Sequence, residues 1–254
     1  MTQTILVTGA SSGFGAAIAR RFVRDGHRVI AAARRRGRLD ALATELGSAL
    51  LPWTLDVTDR DAVAALPHAL PEEWRDPDVL VNNAGLALGS DPYWQADPDW
   101  LERMVTTNVL GLARMTRAFL PAMVERGRGL IVNIGSTAGN YPYPGGASYC
   151  GTKAFVQQFT LGLKADLAGT GVRVADVQPG MVGGSEFSNV RWGDDARAAA
   201  FYADTVPLTP EDVAETVAWI ACLPPHVNVN RIELMPVVQG PGPFTIKRGP
   251  DVRR

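Results

Sequence analysis

The chain has 254 residues, of which 46% are hydrophobic and 20% are charged, a composition typical of soluble globular proteins. Its formal net charge of −1 gives no reason to expect binding to nucleic acid or to an anionic membrane. Two cysteines and three scattered histidines indicate neither a disulfide framework nor a metal site.

No apolar run approaches the ~18 residues that a membrane span requires. The first residues, 1–4, lead directly into an apolar strand without a basic leader, so no signal peptide is expected. These features predict a cytoplasmic chain with no membrane partner.

Seven short apolar segments alternate with longer helical patterns. These segments are Ile5–Thr8, Arg28–Ala33, Leu51–Val57, Val79–Asn82, Leu130–Ile134, Val172–Val177 and Arg231–Pro236. Nearly continuous apolar strands are typical of a parallel sheet covered on both faces, and strands separated by helices indicate repeated βαβ units. The pattern predicts one doubly wound α/β domain of the Rossmann type over residues 1–238, with a seven-stranded parallel sheet and helices on both faces.

Several helix starts are marked by capping residues. The segment from Thr58 to Asp61 is interpreted as a capping box with Thr58 as the N-cap. Asp97 and Thr209 each precede a proline, which favours the first turn of a helix.

Two stretches differ from the repeated pattern. Residues 180–205 contain a Gly-Gly pair followed by a polar, alanine-rich segment, and are interpreted as a mobile cap over the substrate. Residues 239–254 contain Gly-Pro-Gly-Pro and a basic end, and are interpreted as a C-terminal tail that packs against a neighbouring subunit.

A glycine-rich turn follows the first strand and precedes the helical segment Ala16–Arg24. Its sequence is Thr8-Gly9-Ala10-Ser11-Ser12-Gly13-Phe14-Gly15. Such a turn lets the backbone approach a pyrophosphate, and the helix N-terminus offers free N–H groups to it. The spacing differs from G-x-G-x-x-G, and a tight turn without a ligand is the alternative interpretation.

Arginines follow the second strand, where a site for NAD would place an acidic residue to hold the ribose 2′-hydroxyl. Arg34 lies 19 residues after Gly15, and Arg35 follows it. Guanidinium groups hold phosphate with paired hydrogen bonds, so these residues favour NADP. A solvated basic helix start is the alternative.

Polar residues also end the next two strands. Asp56 is expected to accept a hydrogen bond from the adenine amino group, with a local turn contact as the alternative. Asn83 is expected beneath the ribose, and Ala84 and Gly85 leave room for the cofactor. All of them lie at carboxyl ends of strands, where open α/β sheets bind ligands.

Tyr149 and Lys153 are four residues apart, which places both side chains on one face if the segment is helical. A nearby ammonium favours the phenolate and lowers the pKa of a phenol. A shift from ~10 to a working value near ~7 needs about 4 kcal/mol, more than one surface lysine supplies. A lysine together with a cationic nicotinamide ring in a dry cleft would suffice. Taken alone, the pair is common, and an ordinary surface Tyr and Lys is the simpler interpretation.

Together these motifs resemble the short-chain dehydrogenase/reductase family. The motifs that match are Thr8-Gly9-x-x-x-Gly13-x-Gly15, Asn82-Asn83-Ala84-Gly85, Ser136, Tyr149-x-x-x-Lys153 and Pro179-Gly180. Within the family the chain is most similar to the NADP-dependent 3-hydroxy acid dehydrogenase group, over roughly residues 4–238. The segments that carry this closer similarity are 83–89, 134–139, 182–191 and 228–236.

The resemblance implies the catalytic roles. Tyr149 is the general acid/base, Ser136 holds the reacting oxygen, and Lys153 lowers the pKa of Tyr149 and holds the nicotinamide ribose. Asn108, in a predicted helix Trp100–Met115, supports a water that relays protons to Lys153. The substrate is expected to contact Ser136 and Tyr149.

The expected cofactor contacts extend over most of these motifs. They are Gly9, Ser11, Ser12, Gly13, Phe14, Gly15, Arg34, Arg35, Asp56, Val57, Asn83, Ala84, Gly85, Tyr149, Lys153, Pro179, Gly180, Val182 and Ser185. The family usually has a threonine shortly after Pro-Gly; here Gly183-Gly184 intervene and Ser185 follows, so the partner of that hydroxyl is open.

The resemblance also implies a substrate class and an assembly. The expected reaction is reversible hydride transfer between NADP and a small 3-hydroxy acid, such as serine, L-allo-threonine or 3-hydroxypropionate, or the corresponding aldehyde. Arg191 is a candidate anchor for the substrate carboxylate, with a surface or intersubunit arginine as the alternative. A homotetramer is implied. The rival functions are a broad NADPH carbonyl or polyol reductase, and a non-catalytic NADP-binding regulator.

Overall fold

A seven-stranded sheet in the order β3-β2-β1-β4-β5-β6-β7 forms the centre of the computed structural model, which describes residues 2–242. Every pair of neighbouring strands is parallel. The strands are β1 Thr4–Thr8, β2 Arg28–Ala33, β3 Leu50–Thr54, β4 Val79–Asn82, β5 Gly129–Ile134, β6 Val172–Pro179 and β7 Arg231–Leu234. The predicted sheet is confirmed, with strand ends that move by a few residues.

Nine α-helices connect these strands within residues 2–242. They are α1 Gly13–Arg24, α2 Arg36–Leu46, α3 Arg60–Ala69, α4 Pro98–Val105, α5 Leu112–Glu125, α6 Ala147–Asp166, α7 Phe187–Trp192, α8 Asp195–Tyr202 and α9 Pro210–Cys222. A π-helical segment, Thr106–Gly111, joins α4 to α5. In this part of the chain, no helix is both long enough and apolar enough to cross a bilayer.

Two apolar layers cover the sheet, because its inner strands carry buried side chains on both faces. One layer packs α1, α2 and α9 against side chains such as Val7 and Val132. The other packs α3, α5 and α6 against side chains such as Leu6 and Ile131. Burial of the sheet on both faces therefore explains why the strands are nearly continuous apolar runs in the sequence.

Three boundary predictions are wrong. The third strand ends at Thr54, so Asp56 lies in the following turn instead of closing the strand. The N-cap of α3 is Asp59, whose side chain accepts hydrogen bonds from the backbone of Asp61 and Ala62, and not Thr58. The predicted helix Trp100–Met115 is interrupted by the π-helical segment, which inserts extra residues into the helical turn.

The other two capped helix starts are confirmed. Asp97 accepts a hydrogen bond from the backbone of Asp99, and Pro98 is the first residue of α4. Thr209 and Asp212 form a reciprocal capping box at the start of α9. These caps fix where the two helices begin relative to the strands before them.

The order of the strands reverses between β1 and β4, whose connections leave in opposite directions. In an open α/β sheet this reversal opens a crevice at the carboxyl ends of the strands. The glycine turn after β1, the turn after β4 and the turn after β5 all end at this edge.

Helices α7 and α8 lie within the predicted cap, residues 180–205. The mobility of the cap remains a prediction, and residues 243–254 of the predicted tail lie outside the described range.

A tight contact joins the turn after β5 to α6. A Cβ added at Gly139 would lie 2.9 Å from the carbonyl oxygen of Lys153 and 3.0 Å from its carbonyl carbon. Both neighbours are backbone atoms, so the turn and the helix would have to separate to accept a side chain. This contact therefore sets how closely α6 approaches the end of β5.

We expect Gly139→Ala to lower the thermal midpoint of unfolding, because overpacking against backbone typically costs about 1–3 kcal/mol. The matched control is Gly37→Ala, an exposed position in α2 where an added Cβ meets no atom within 4 Å. The control should leave the midpoint unchanged or raise it slightly, since alanine is the better helix former. Equal midpoints for the two variants in differential scanning calorimetry would contradict this packing argument.

Candidate active site

Helix α6 brings Tyr149 and Lys153 to the carboxyl edge of the sheet, one turn apart on the same face. Both side chains are buried. The Lys153 Nζ atom lies 5.8 Å from the centre of the Tyr149 ring and donates a hydrogen bond of 2.7 Å to the Ile134 carbonyl oxygen. The helical placement predicted from the sequence is confirmed, and the pair is not on the surface.

Ser136 meets this pair from the end of β5. Its backbone is extended, and its Oγ atom accepts a hydrogen bond of 3.1 Å from the backbone N–H of Ala138, which begins a 3-10 turn. Ser136 and Tyr149 line the same pocket, and the Ser136 hydroxyl favours the ionised form of the phenol. The structure therefore places a hydroxyl, a phenol and an ammonium at one point of the cleft.

Burial dominates the ionisation of this site. It raises the pKa of the Tyr149 phenol well above its ordinary value, and the neighbouring Tyr143 adds to this, while the Ser136 hydroxyl opposes it. Burial also lowers the pKa of Lys153 to about 8, against the opposing charge of Asp176. A buried site penalises each charged form.

The expectation that Lys153 lowers the pKa of Tyr149 was made for a cleft that also holds a cationic nicotinamide ring, and it stays a prediction. The Lys153 ammonium is directed at the Ile134 carbonyl, and desolvation of the phenol outweighs every favourable contact. Additional positive charge in the cleft is needed before the phenol ionises near neutral pH.

Asn108 lies in the π-helical segment and its side chain is buried. Its Oδ1 atom accepts from the Leu86 backbone at 2.9 Å, and its Nδ2 atom donates to the Leu86 carbonyl at 2.8 Å and to Thr152 Oγ1 at 3.1 Å. Gly85 separates Asn108 from Lys153: a Cβ added there would lie 3.3 Å and 3.7 Å from their side chains. These contacts use both N–H donors of the amide and one acceptor site of its oxygen. The role of Asn108 in a water relay stays a prediction.

The glycine turn has no room for side chains. Gly9 has a φ of +68°, and a Cβ there would lie 2.9 Å from Asn83 Nδ2; a Cβ on Gly15 would lie 2.7 Å from the same atom. Asn83 Nδ2 donates to the Thr8 carbonyl at 2.9 Å. Asn83 therefore braces the turn from below, a contact that the sequence prediction of a ribose floor did not include.

The first turn of α1 keeps its N–H groups free of side-chain caps. Ser12 is the N-cap residue, but its side chain makes no capping hydrogen bond. Free N–H groups at the start of a helix bind phosphate groups, with support from the helix dipole.

The arginines after β2 line the same cleft. Arg34 is exposed and its Nη1 atom lies 3.8 Å from Asp56 Oδ2. The other carboxylate oxygen of Asp56 accepts from the backbone and hydroxyl of Thr58, at 2.9 Å and 2.8 Å. The local turn contact considered for Asp56 is therefore present, and one oxygen stays directed at the arginine. Arg35 donates to Ser11 Oγ and Ser12 Oγ, at 3.1 Å and 2.6 Å.

Most of the predicted cofactor residues line one cleft. They are Gly9, Ser11, Ser12, Gly13, Phe14, Arg34, Arg35, Asp56, Val57, Asn83, Ala84, Gly85, Tyr149, Lys153 and Ser185. Pro179, Gly180 and Val182 instead line an adjoining pocket, and Gly15 lies packed under the turn. Glycines without room for Cβ, an uncapped helix start and two arginines together fit a dinucleotide that carries a 2′-phosphate.

The adjoining pocket is the candidate substrate site, because Ser136 and Tyr149 both line it. Its walls include aromatic residues that sequence reasoning missed, namely Tyr143, Phe187, Trp192, Phe201 and Tyr202. The Gln239 side chain also lines it and accepts from the Met181 backbone at 2.7 Å. The aromatic residues of the cap, in segment 187–202, could have indicated this pocket from the sequence.

Arg191 lines this pocket, as expected of a carboxylate anchor. It is half-buried, donates from Nε to the Gly89 carbonyl at 3.0 Å, and lies over the Tyr143 ring at 5.0 Å. Within residues 2–242, Arg191 has no ion pair with a carboxylate, unlike Arg35. Its positive charge is available to an anion in the pocket.

The chain belongs to the short chain dehydrogenase family, whose sequence profile matches residues 3–194. It is therefore an oxidoreductase that acts on hydroxyl groups, with the Rossmann fold of that family.

Particular relatives are similar over nearly the whole chain. The NADP-dependent 3-hydroxy acid dehydrogenase of Salmonella typhi is 56% identical over 245 residues, which cover 96% of this chain and 99% of that protein. Serine 3-dehydrogenase of Agrobacterium fabrum is 49% identical over 250 residues, covering 98% and 99%. A solved structure, the closed form of serine dehydrogenase complexed with NADP+, matches with a TM-score of 0.92 and 54% identity, covering 99% of each chain.

The depressed pKa of Lys153 is open to direct measurement, because the chain contains three lysines. In cofactor-free protein labelled with 13C-lysine, we expect one NMR signal to titrate near pH 8 and to be missing from Lys153→Arg. Burial is the cause, since it disfavours the ammonium. A spectrum in which no lysine titrates below about pH 9.5 would place Lys153 near its ordinary value and contradict this ionisation scheme.

Proposed function

We propose that the protein is an NADP-dependent dehydrogenase that reversibly oxidises a small 3-hydroxy acid, of the serine, L-allo-threonine or 3-hydroxypropionate type. The observation that carries the proposal is the convergence of Ser136, Tyr149 and Lys153 where the dinucleotide cleft meets a pocket that contains an arginine. The names of the relatives supply the substrate class and the cofactor.

The residues divide the chemistry between them. In the oxidation, Tyr149 takes the proton of the substrate hydroxyl and Ser136 holds the oxygen by a hydrogen bond. Lys153 provides the fixed positive charge beside the phenol. When bound, NADP+ supplies the hydride acceptor and an additional positive charge in the cleft. In the reduction, Tyr149 returns the proton to the carbonyl oxygen of the substrate.

The cofactor would be held by the residues of the glycine turn and the arginines. The N–H groups at the start of α1 receive the pyrophosphate, and Arg34 and Arg35 receive the 2′-phosphate. Asn108 supports the proton path to Lys153 from behind Gly85. Val57 and Asp56 border the adenine.

The aromatic pocket selects the shape and charge of the substrate. Arg191 receives the carboxylate of the hydroxy acid, and the rings around it exclude water, which strengthens the ion pair. A broad carbonyl or polyol reductase is the second candidate, since the apolar rings alone also accept neutral substrates. A non-catalytic NADP sensor is the third, and the presence of the complete proton-handling set disfavours it.

We also propose a cytoplasmic homotetramer, with residues 1–238 as the dinucleotide-binding and catalytic domain and 239–254 as a tail at a subunit contact. The membership of the chain in its family supports this assembly. A small-molecule hydroxy acid or aldehyde is the proposed partner, with no nucleic acid and no membrane.

Tyr149→Phe is expected to abolish turnover of 3-hydroxypropionate with NADP, because no other group at this point can move the hydroxyl proton. NADP binding, measured by calorimetry, should stay within about two-fold, since the ring remains in place. Tyr93→Phe, at an exposed tyrosine outside the site, is the control and should keep full activity. A variant Tyr149→Phe with substantial turnover would support another base and contradict the assignment.

Arg191→Ala is expected to raise the KM for 3-hydroxypropionate by about 10- to 100-fold, the size of one lost charge-assisted contact. The KM for the neutral analogue 1,3-propanediol should change far less. Arg197→Ala is the control, because Arg197 also lies on the cap but bonds outward to Ser90 Oγ, at 2.8 Å. If the KM values for both substrates rose equally, Arg191 would be a structural residue and the carboxylate assignment would be wrong.

A further inference from the structure

A carboxylate from the cap occupies the arginine site of the cofactor cleft. Glu186 precedes α7, and its carboxylate contacts Arg35 Nη1 at 2.8 Å through one oxygen and Arg38 Nη1 at 2.7 Å through the other. The nearby Ser12 hydroxyl also helps to lower the pKa of this carboxylate. The two ion pairs come from the loop after β2 and from α2, so Glu186 joins the cap to both segments.

Under the proposed function, Arg35 would also hold the 2′-phosphate of the cofactor. Arg35 already donates from Nε to Ser11 Oγ and from Nη2 to Ser12 Oγ, which leaves Nη1 as its link to an anion. Glu186 and Arg35 line the same cleft, together with Arg34. The arginines lower the pKa of Glu186 to about 2, so the carboxylate carries its charge at neutral pH.

We propose that Glu186 is a specificity-determining residue, which acts as an intramolecular competitor of the cofactor 2′-phosphate for Arg35. The inference deepens the proposed function and depends on NADP being the cofactor. A bound 2′-phosphate takes over the Nη1 donor of Arg35 and the Ser12 hydroxyl, and Glu186 then keeps Arg38 as its partner. NAD lacks this phosphate and leaves both ion pairs in place.

The exchange also reaches the substrate pocket through the cap. The residue after Glu186 is Phe187, whose ring lies 5.7 Å from the Tyr149 ring, and Arg191 follows one turn later on α7. Release of Glu186 from Arg35 removes one tether at the start of α7. The cap therefore reaches the phosphate end of the cofactor cleft through Glu186, and the substrate pocket through α7.

The test compares the affinities of Glu186→Gln and wild type for NADP and NAD by calorimetry, without substrate. We expect Glu186→Gln to bind NADP roughly three- to ten-fold more tightly, the effect of losing one or two partly exposed ion pairs that compete with the phosphate. NAD affinity should change by less than about two-fold, because distant charges are screened at physiological salt. The probe 2′,5′-ADP, which carries the 2′-phosphate, should also bind more tightly to Glu186→Gln. The affinity for ADP, which lacks that phosphate, should change little.

The matched control is Asp40→Asn, which removes the same charge nearby on α2. Asp40 pairs with Arg36 at 2.7 Å and is absent from the residues that line the cleft. It should alter NADP affinity by less than about two-fold. A gain in affinity that is equal for NADP and NAD, or equal in the two variants, would reduce the effect to general electrostatics and overturn the proposal.

Weaker or unchanged NADP binding by Glu186→Gln would also overturn it, because Glu186 would then support the bound cofactor or play no part. These outcomes are distinct from failure of the proposed function. That failure would appear in the wild-type protein, as no measurable NADP binding or no turnover of hydroxy acids. The competitor role is judged only from the ratio of the cofactor affinities of variant and wild type.

Discussion

Burial of the Tyr149 phenol is the constraint on which the site depends. The side chain is removed from water by the turn after β5, by Phe187 of the cap and by its own helix, and this raises its pKa. A phenol in this state keeps its proton at neutral pH, so little of the phenolate that would act as a base is present. The reaction in the oxidative direction therefore needs positive charge close to Tyr149, and the neighbouring Lys153 is only part of it.

The same burial makes Lys153 an unusual lysine. Its pKa falls to about 8 although Asp176 opposes the change, so near neutral pH its ammonium is less firmly protonated than that of an exposed lysine. Asp176 is itself buried, and burial raises the pKa of its carboxyl to about 6. Phenol, amine and carboxyl thus stand in one poorly solvated region, where each added charge has a large effect on the others.

The cap connects the two halves of the cleft. Glu186, just before α7, contacts the arginines at the cofactor end, while Arg191 on α7 borders the substrate pocket. A helix of this length cannot shift at one end and stay fixed at the other. Recognition of cofactor and substrate is therefore expected to be linked through α7.

The sequence was sufficient for the sheet, because apolar runs in a parallel sheet are long and continuous. It was also sufficient for the relation between Tyr149 and Lys153, which depends only on helical spacing. The predicted N-cap of α3 was wrong because Thr58 and Asp59 are adjacent and both are good capping residues.

The contacts that sequence analysis did not predict join distant segments, because spacing does not encode them. Asn83 braces the glycine turn across 75 positions of chain, and Glu186 reaches Arg35 across 151. The desolvation that raises the pKa of Tyr149 is likewise not encoded by spacing. The spacing revealed the favourable lysine, but the desolvation comes from residues elsewhere in the fold.

Titration of the Tyr149 phenol with and without NADP+ tests the central claim most directly. The difference in tyrosinate absorbance between wild type and Tyr149→Phe isolates this one phenol. We predict no ionisation below about pH 10 in the free protein, and a titration near pH 7 when NADP+ is bound. Ionisation near neutral pH without the cofactor, or none near neutral pH with it, would contradict the account.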